Sequence, residues 1–149
     1  MKSFCMLKPD AVARGLAGEI LARFEAKGLK VAAMKLSNVK KEQAEKLYAE
    51  HKSKPFYQGL VDFALSGPSV MLVLEGKDAV PVVRTVIGAT NPRQAAPGSV
   101  RGDFGIGLPQ NLIHASDSED SAKREIPIFF ADSEVLNYKR ADEQYLGKE

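Results

Sequence analysis

One histidine lies between an apolar pair and a run of small polar and acidic residues, in the segment NLIHASDSEDSAKREI at positions 111–126. This residue, His114, is one of two histidines in the chain, and the other is His51. Such an imidazole fits a core residue, a metal ligand, a member of a hydrolase triad or a nucleophile. Two histidines and one cysteine argue against a structural zinc site. The sequence also lacks the G-x-S-x-G elbow of many serine hydrolases.

The residues after His114 are suited to holding a phosphoryl group beside it. Ser116 is followed three residues later by Glu119, a capping-box spacing that predicts a helix beginning just after His114. The free amides and the dipole at a helix N-terminus favour negative charge. Glu125 would project from this helix and reach back to orient the ring. A histidine that is held by a carboxylate and faces arginines is a good phosphoryl acceptor.

Between Ala79 and Gly102 the chain contains arginines but no acidic residue. The arginines, hydroxyls and amides of this stretch include Arg84, Thr90, Asn91, Arg93, Ser99 and Arg101. Such groups, together with free backbone amides, bind polyphosphates, although a solvated basic loop has the same composition. Lys8 stands at the end of an apolar strand, either at a ligand-binding edge or leaving the core for solvent. A Walker A phosphate loop is absent from the sequence.

Aromatic side chains are placed on both sides of the proline at position 55. They are Tyr48, Phe56 and Tyr57. Together they predict a surface on which a base could stack, although helix-spaced aromatics more often belong to a core.

Hydrophobic periodicity predicts strands and helices in alternation. Strands are predicted at 3–7, 29–39, 70–76 and 111–115, and helices at 16–26, 40–51, 55–65 and 78–88. Residues 89–110 are predicted to form a long ordered loop, and Pro127 to end or kink the last helix. The alternation indicates an α/β or α+β sandwich with helices packed on a sheet, in one domain over residues 1–149.

Bulk composition restricts the partners of the chain. A formal net charge of +2 and a pI of about 8.6 do not predict nucleic-acid binding. Cys5 lies in an apolar stretch and is expected to be a buried small hydrophobe. Because no apolar run of about 18 residues occurs, we expect no membrane span and a cytoplasmic location.

The segment NLIHASDS resembles the active-site signature N-x-x-H-[GA]-S-D-S of nucleoside diphosphate kinases. The resemblance continues through LKPDAVARGLAGEILARFEAKG, KPFYQGLVDFALSGP and GATNPRQAAPGSVRGDF, and so covers nearly the whole chain. It implies a ferredoxin-like fold, a four-stranded antiparallel sheet with helices on one face. It also implies a ping-pong transfer of the γ-phosphate from a nucleoside triphosphate, typically ATP, to a nucleoside diphosphate.

The same resemblance implies a role for each matching residue. His114 would carry the phosphoryl group as phosphohistidine, and Glu125 and Ser116 would orient it by hydrogen bonding. The phosphates and ribose would be bound by Lys8, Tyr48, Arg84, Thr90, Arg101 and Asn111. Phe56 would stack on the base, with Leu60 and Leu108 as its other contacts. Mg²⁺ would bridge the nucleotide phosphates, with Asp117 reaching it through water and no direct protein ligand.

Small departures from the family pattern occur, such as Ala11 and Ala115 where many members have glycine, and Lys54 where many have arginine. The family forms homo-oligomers, and the C-terminal extension favours a hexamer over a tetramer. Two alternatives are a non-catalytic relative that binds nucleotides or nucleic acid as a regulatory module, and a histidine-dependent phosphatase. The presence of His114, Lys8 and both arginines at 84 and 101 argues against the non-catalytic relative.

Overall fold

A four-stranded antiparallel sheet organises the computed structural model, which describes residues 1–147. Its strands are β1 (Lys2–Leu7), β2 (Lys30–Asn38), β3 (Pro68–Glu75) and β4 (Ile113–Ala115). The spatial order is β2-β3-β1-β4, and every neighbouring pair is antiparallel. The ferredoxin-like sheet implied by the resemblance is confirmed, and all four strands coincide with predicted apolar runs.

Helices cover both faces of this sheet, so the expectation of helices on one face only is wrong. They are α1 (Pro9–Ala13), α2 (Ala17–Ala26), α3 (Lys41–Leu47), α4 (Tyr57–Ala64), α5 (Ala79–Ile87), α6 (Val100–Phe104) and α7 (Glu119–Phe129). Helices α1, α2, α5 and α6 contribute to one apolar cluster, and α3, α4 and α7 to the other. Within the described residues, no helix has the length and apolar character that a bilayer crossing needs.

Strand β1 explains why helices pack on both faces of the sheet. Cys5 and Leu7 point into the first cluster, whereas Phe4 and Met6 point into the second. Successive side chains of a strand face opposite sides, so a strand buried on both faces reads as an unbroken apolar run. Cys5 is fully buried as predicted, and this burial raises the pKa of its thiol and keeps it protonated.

The segment predicted as a long loop contains two short helices. A 3₁₀ turn covers Pro92–Gln94 and α6 covers Val100–Phe104. Ser99 caps α6 by accepting a hydrogen bond from the amide of Gly102 at 3.1 Å. Gly102 lies against the backbone carbonyl of Ala96, where a Cβ atom would collide, so this tight packing requires glycine.

The start and end of α7 also differ from the prediction. Ser118, rather than Ser116, is the N-cap, and its hydroxyl accepts a hydrogen bond from the amide of Ser121 at 3.0 Å. Ser116 is committed to a buried contact instead, so the predicted capping box with Glu119 does not form. Pro127 does not end the helix, since α7 continues to Phe129. The last carbonyls are bound by side chains of neighbouring elements, Gln43 on Ile128 and Lys35 on Phe129.

Candidate active site

His114 lies in the middle of β4, opposite Met6 of the central strand. Its side chain is 17% exposed, and its Nε2 lies 3.1 Å from Oε1 of Glu125. Glu125 projects from the second turn of α7 and reaches back to the ring, with 2% of its side chain exposed. With Nε2 facing a carboxylate, the other ring nitrogen, Nδ1, is left to take part in chemistry.

Ser116 acts on the carboxylate rather than on the ring. Its hydroxyl donates to Oε1 of Glu125 at 2.7 Å, and it accepts a hydrogen bond from the amide of Phe4 at 3.2 Å. Ser116 was expected to orient His114 by hydrogen bonding. In the structure the serine hydroxyl contacts Glu125, and Glu125 in turn contacts the histidine.

Aromatic rings pack around the imidazole. Tyr48 approaches it edge-on with ring centroids 5.8 Å apart, and Phe4 lies at 6.1 Å. Phe4 is itself stacked on Phe129 at 5.1 Å, which ties this wall to the core. Burial first, and then the charge of Glu125, raise the pKa of the Tyr48 hydroxyl, so it stays a hydrogen-bond donor.

A buried lysine and asparagine form the floor of the site. Nζ of Lys8 donates to Oδ1 of Asn111 at 2.8 Å, and Nδ2 of Asn111 donates to the carbonyl of Thr90 at 2.9 Å. Lys8 is only 5% exposed. Burial, and next the charge of Arg101, lower the pKa of Lys8 to about 8. Its charge is therefore costly without an anion beside it.

Arg101 supports the backbone around the site. Its guanidinium donates to the carbonyls of Asn111 at 3.1 Å, Gly88 at 3.1 Å and Ile113 at 2.5 Å. It is 3% exposed, and burial followed by the charge of Arg84 lowers its pKa to about 10. The side chain remains charged at neutral pH and fixes both the approach to β4 and the end of α5.

The backbone just before β4 adopts a conformation that residues other than glycine rarely adopt. Leu112 has φ of 75°, in the left-handed region, which costs roughly 1–2 kcal/mol for a residue other than glycine. The carboxylate of Asp10 accepts its amide at 3.1 Å, and its carbonyl accepts the amide of Lys8 at 2.8 Å. These contacts hold the turn that presents Asn111 and His114 to the same space.

The rim of the site carries another cation and a carboxylate. Arg84 of α5 donates to the carbonyl of Ala115 at 3.3 Å. Asp117 accepts the hydroxyl of Ser121 at 2.6 Å, and this bond is the main reason that the pKa of Asp117 is lowered. The carboxylate is therefore ionised where it faces the cavity.

Phe56 lies at the outer end of the site, and half of its surface is exposed. The His51 ring lies 5.4 Å from it and Nζ of Lys54 lies 5.6 Å from its centre. No role was predicted for His51 from the sequence. Its spacing of five residues before Phe56 carries no periodic signal, because the chain between them is irregular.

Most of these side chains border one cavity of about 680 Å³. Twelve of the residues predicted for the site line it: Lys8, Tyr48, Phe56, Leu60, Arg84, Thr90, Arg101, Leu108, Asn111, His114, Asp117 and Glu125. Ser116 lies behind Glu125, outside this lining. Glu50, His51 and Pro109 also line the cavity and were missed. The cavity is large enough for a nucleotide, since ligand sites span roughly 300–1,000 Å³.

The donor set bears on whether a divalent cation fits here. Among residues 1–147 no group of three or more His, Cys, Asp or Glu side chains is placed to hold a metal ion. The cavity instead combines buried cations with the ionised carboxylate of Asp117 at its rim. This arrangement fits a cation carried in by nucleotide phosphates and contacted by one carboxylate.

The cavity therefore combines buried cations, a histidine in contact with a carboxylate, and an exposed aromatic ring at its rim. Residues 1–135 match the nucleoside diphosphate kinase family. A relative from Archaeoglobus fulgidus with that name is 54% identical over 148 residues, which is 99% of this chain and 98% of the relative.

Solved structures of nucleoside diphosphate kinases are also similar to this chain. The halophilic nucleoside diphosphate kinase from Halobacterium salinarum in complex with CDP has a TM-score of 0.96 and 46% identity, covering 99% of both chains. A transition-state mimic of the Borrelia burgdorferi enzyme, with bound vanadate and ADP, has a TM-score of 0.92 and 41% identity, covering 98% of this chain and 96% of that one. The chain belongs to the nucleoside diphosphate kinase family. Its activity is transfer of the γ-phosphate of a nucleoside triphosphate to a nucleoside diphosphate, and nothing in these comparisons favours a non-catalytic relative.

Proposed function

We propose that His114 is the nucleophile and carries the phosphoryl group between two nucleotides. The observation that carries this proposal is the contact between Nε2 and Glu125, which leaves Nδ1 as the nitrogen with a free lone pair. Nδ1 attacks the γ-phosphorus, the bond from that phosphorus to the β,γ-bridging oxygen breaks, and a nucleoside diphosphate leaves. A second nucleoside diphosphate then attacks the phosphorus through a β-phosphate oxygen, and the P–N bond breaks.

Glu125 stabilises the positive charge that forms on the imidazole during the attack. Its carboxylate is fixed by Ser116 at 2.7 Å, so it needs little reorganisation as the charge appears. Because His114 lines a single cavity, the donor and the acceptor nucleotide occupy that cavity in turn, which gives ping-pong kinetics.

The phosphates and ribose are bound by the polar groups of the cavity. These are Lys8, Tyr48, Arg84, Thr90, Arg101 and Asn111. Phosphoryl transfer depends mainly on positioning and on stabilising charge, which suits an array of fixed cations. Mg²⁺ is the proposed metal: it would neutralise phosphate charge, and Asp117, which lines the cavity, would contact it through water.

The base stacks on Phe56, with Leu60 and Leu108 as its neighbours. Stacking tolerates any base, because every base has a π-face. The relatives described above bind CDP and ADP, one pyrimidine and one purine nucleotide, which supports a site of broad base tolerance.

A Phe56→Ala substitution tests this role. We expect KM for ADP, GDP and CDP to rise together by roughly 5- to 30-fold, because stacking contributes about 1–2 kcal/mol here, while kcat changes little. Leu65→Ala, at the end of α4 and outside the cavity, is the matched control. A loss confined to one base, or an unchanged KM for all three, would show that Phe56 is not the platform.

Nucleotide affinity should depend on pH through Lys8. Its pKa in the free protein is about 8, below its ordinary value of 10.5, so the amine becomes neutral above pH 8. A bound phosphate favours the charged amine, and binding therefore takes up a proton above this pH. We expect the Kd for ADP to rise between pH 8 and 9.5, by up to about tenfold per unit, when measured by calorimetry. Lys8→Met should bind weakly with a flat profile, and a flat profile for the unmodified protein would contradict the assignment.

We further propose that this single-domain chain forms a homo-oligomer in the cytoplasm, with a hexamer favoured over a tetramer. Edge strand β2 exposes Met34 (56%) and Leu36 (66%), apolar surface that a second subunit would cover. Nucleic acid is not an expected partner, because the formal net charge is only +2.

A labelling-and-chase experiment tests the proposed function. The protein is mixed with γ-labelled ATP and Mg²⁺, and the label on the protein is examined for stability in base and loss in acid, as expected of phosphohistidine. Unlabelled GDP is then added. Label that leaves as GTP supports the two-step transfer, whereas steady phosphate release without an acceptor would indicate a phosphatase. Absence of label with nucleotide still bound would overturn the proposal.

A further inference from the structure

The carboxylate of Glu125 has two oxygens with different partners. Oε1 accepts the Ser116 hydroxyl and faces Nε2 of His114. Oε2 lies 3.4 Å from Nη2 of Arg124, the preceding residue of α7. With 2% of the Glu125 side chain exposed, solvent contributes little to stabilising its charge. Arg124 therefore supplies a positive charge beside this almost fully buried carboxylate.

Arg124 is itself held from its other side. Its Nη1 donates to the carbonyl of Lys46 at 3.1 Å, in the last turn of α3. Carbonyls at a helix C-terminus lack intrahelical partners and carry partial negative charge, so they bind a guanidinium well. The arginine thus spans the end of α3 and the buried carboxylate, which limits the positions that the Glu125 side chain can take.

Arg124 does not line the nucleotide cavity, although Glu125 does. An effect of Arg124 on the reaction must then pass through the groups it contacts, and of Glu125 and Lys46 only Glu125 lines the cavity. Its neighbour Lys123 is solvent-exposed and pairs with Glu119, so it shares the helix and the charge without sharing this contact.

We propose that Arg124 is a positioning residue for the phosphoryl transfer: by holding Oε2 of Glu125, it keeps Oε1 on Nε2 of His114. The proposal rests on the proposed role of His114 as nucleophile. It assigns to Arg124 the task of keeping the ring oriented with Nδ1 towards the cavity.

The test compares Arg124→Gln with Lys123→Gln, a matched loss of one positive charge. In Arg124→Gln, we expect the single-turnover rate of His114 phosphorylation by ATP to fall roughly three- to tenfold, as for loss of one partly exposed charge-assisted hydrogen bond. The Kd for ADP should stay within about twofold, and Arg124→Lys should recover part of the rate. Lys123→Gln should keep the unmodified rate. An equal loss in Lys123→Gln, or a loss that appears only in the Kd for ADP, would overturn the proposal.

A double-mutant cycle with Glu125→Gln isolates the path of the effect. If Arg124 acts through the carboxylate, Arg124→Gln will change the rate little once Glu125 is replaced. The same fold-loss in both backgrounds would overturn the proposal. Failure of the proposed function looks different, because the unmodified protein itself would then form no phosphohistidine.

Discussion

Replacing His114 by asparagine will abolish phosphate transfer and leave nucleotide binding almost unchanged. Asparagine retains a polar side chain of similar reach but has no nitrogen lone pair able to attack phosphorus. Removing a nucleophile that works with oriented partners typically costs a factor of about 10⁴ or more in kcat. The proposed binding groups Lys8, Arg84 and Arg101 belong to other elements and are expected to stay in place. Steady-state assays with ATP and GDP, together with calorimetry for ADP, measure both quantities.

The second histidine provides the control. His51→Asn removes the other imidazole of the chain, which lies at the rim beside Phe56. This variant should still take up phosphate from ATP, whereas His114→Asn should not. Phosphate uptake that survives in His114→Asn and is lost in His51→Asn would identify His51 as the nucleophile and contradict our assignment.

Replacing Arg101 by methionine will destabilise the fold as well as weaken catalysis. Its guanidinium is the donor for the carbonyls of Gly88, Asn111 and Ile113, and it is almost fully buried. Methionine leaves these carbonyls without that donor, and we expect the free energy of unfolding to fall by about 3–5 kcal/mol. The free energy of unfolding of Arg101→Lys should lie between those of the unmodified protein and Arg101→Met, because an ammonium keeps the charge but not the planar set of donors.

Urea unfolding at one fixed protein concentration measures this loss, since assembly contributes to apparent stability. Arg93→Met is the matched control, because within the described residues Arg93 donates a hydrogen bond through its backbone amide and none through its side chain. It should change the free energy of unfolding by less than about 0.5 kcal/mol. A similar small change for Arg101→Met would mean that the three carbonyls are satisfied without the guanidinium.

Much of the site was predictable because its chemistry is local. His114 and Glu125 lie eleven residues apart, the first on the short strand β4 and the second on helix α7. The backward lean of helical side chains predicts that the two approach each other. The acid-free stretch likewise placed Arg84 and Arg101 in one region. The antiparallel order of the sheet came from the resemblance, because apolar runs in the sequence contain no information on which strands are neighbours.

Other features depended on contacts that no local pattern reveals. Ser116 and Ser118 both fit a cap, and only the buried carboxylate of Glu125 determines that Ser116 serves it. Pro127 stays inside α7, whose last carbonyls are bound by side chains from elements distant in the sequence. The bond from Arg124 to the end of α3 joins residues 78 positions apart, and it therefore emerges only in the folded chain.

The most direct test of the central claim is to determine which nitrogen carries the phosphate. The phosphoenzyme, formed with ATP and isolated at alkaline pH, is examined by ³¹P and ¹⁵N NMR with labelled histidine. Our account predicts phosphate on Nδ1 of His114, because Nε2 is occupied by Glu125. Phosphate on Nε2 of His114, or on a different side chain, would contradict it.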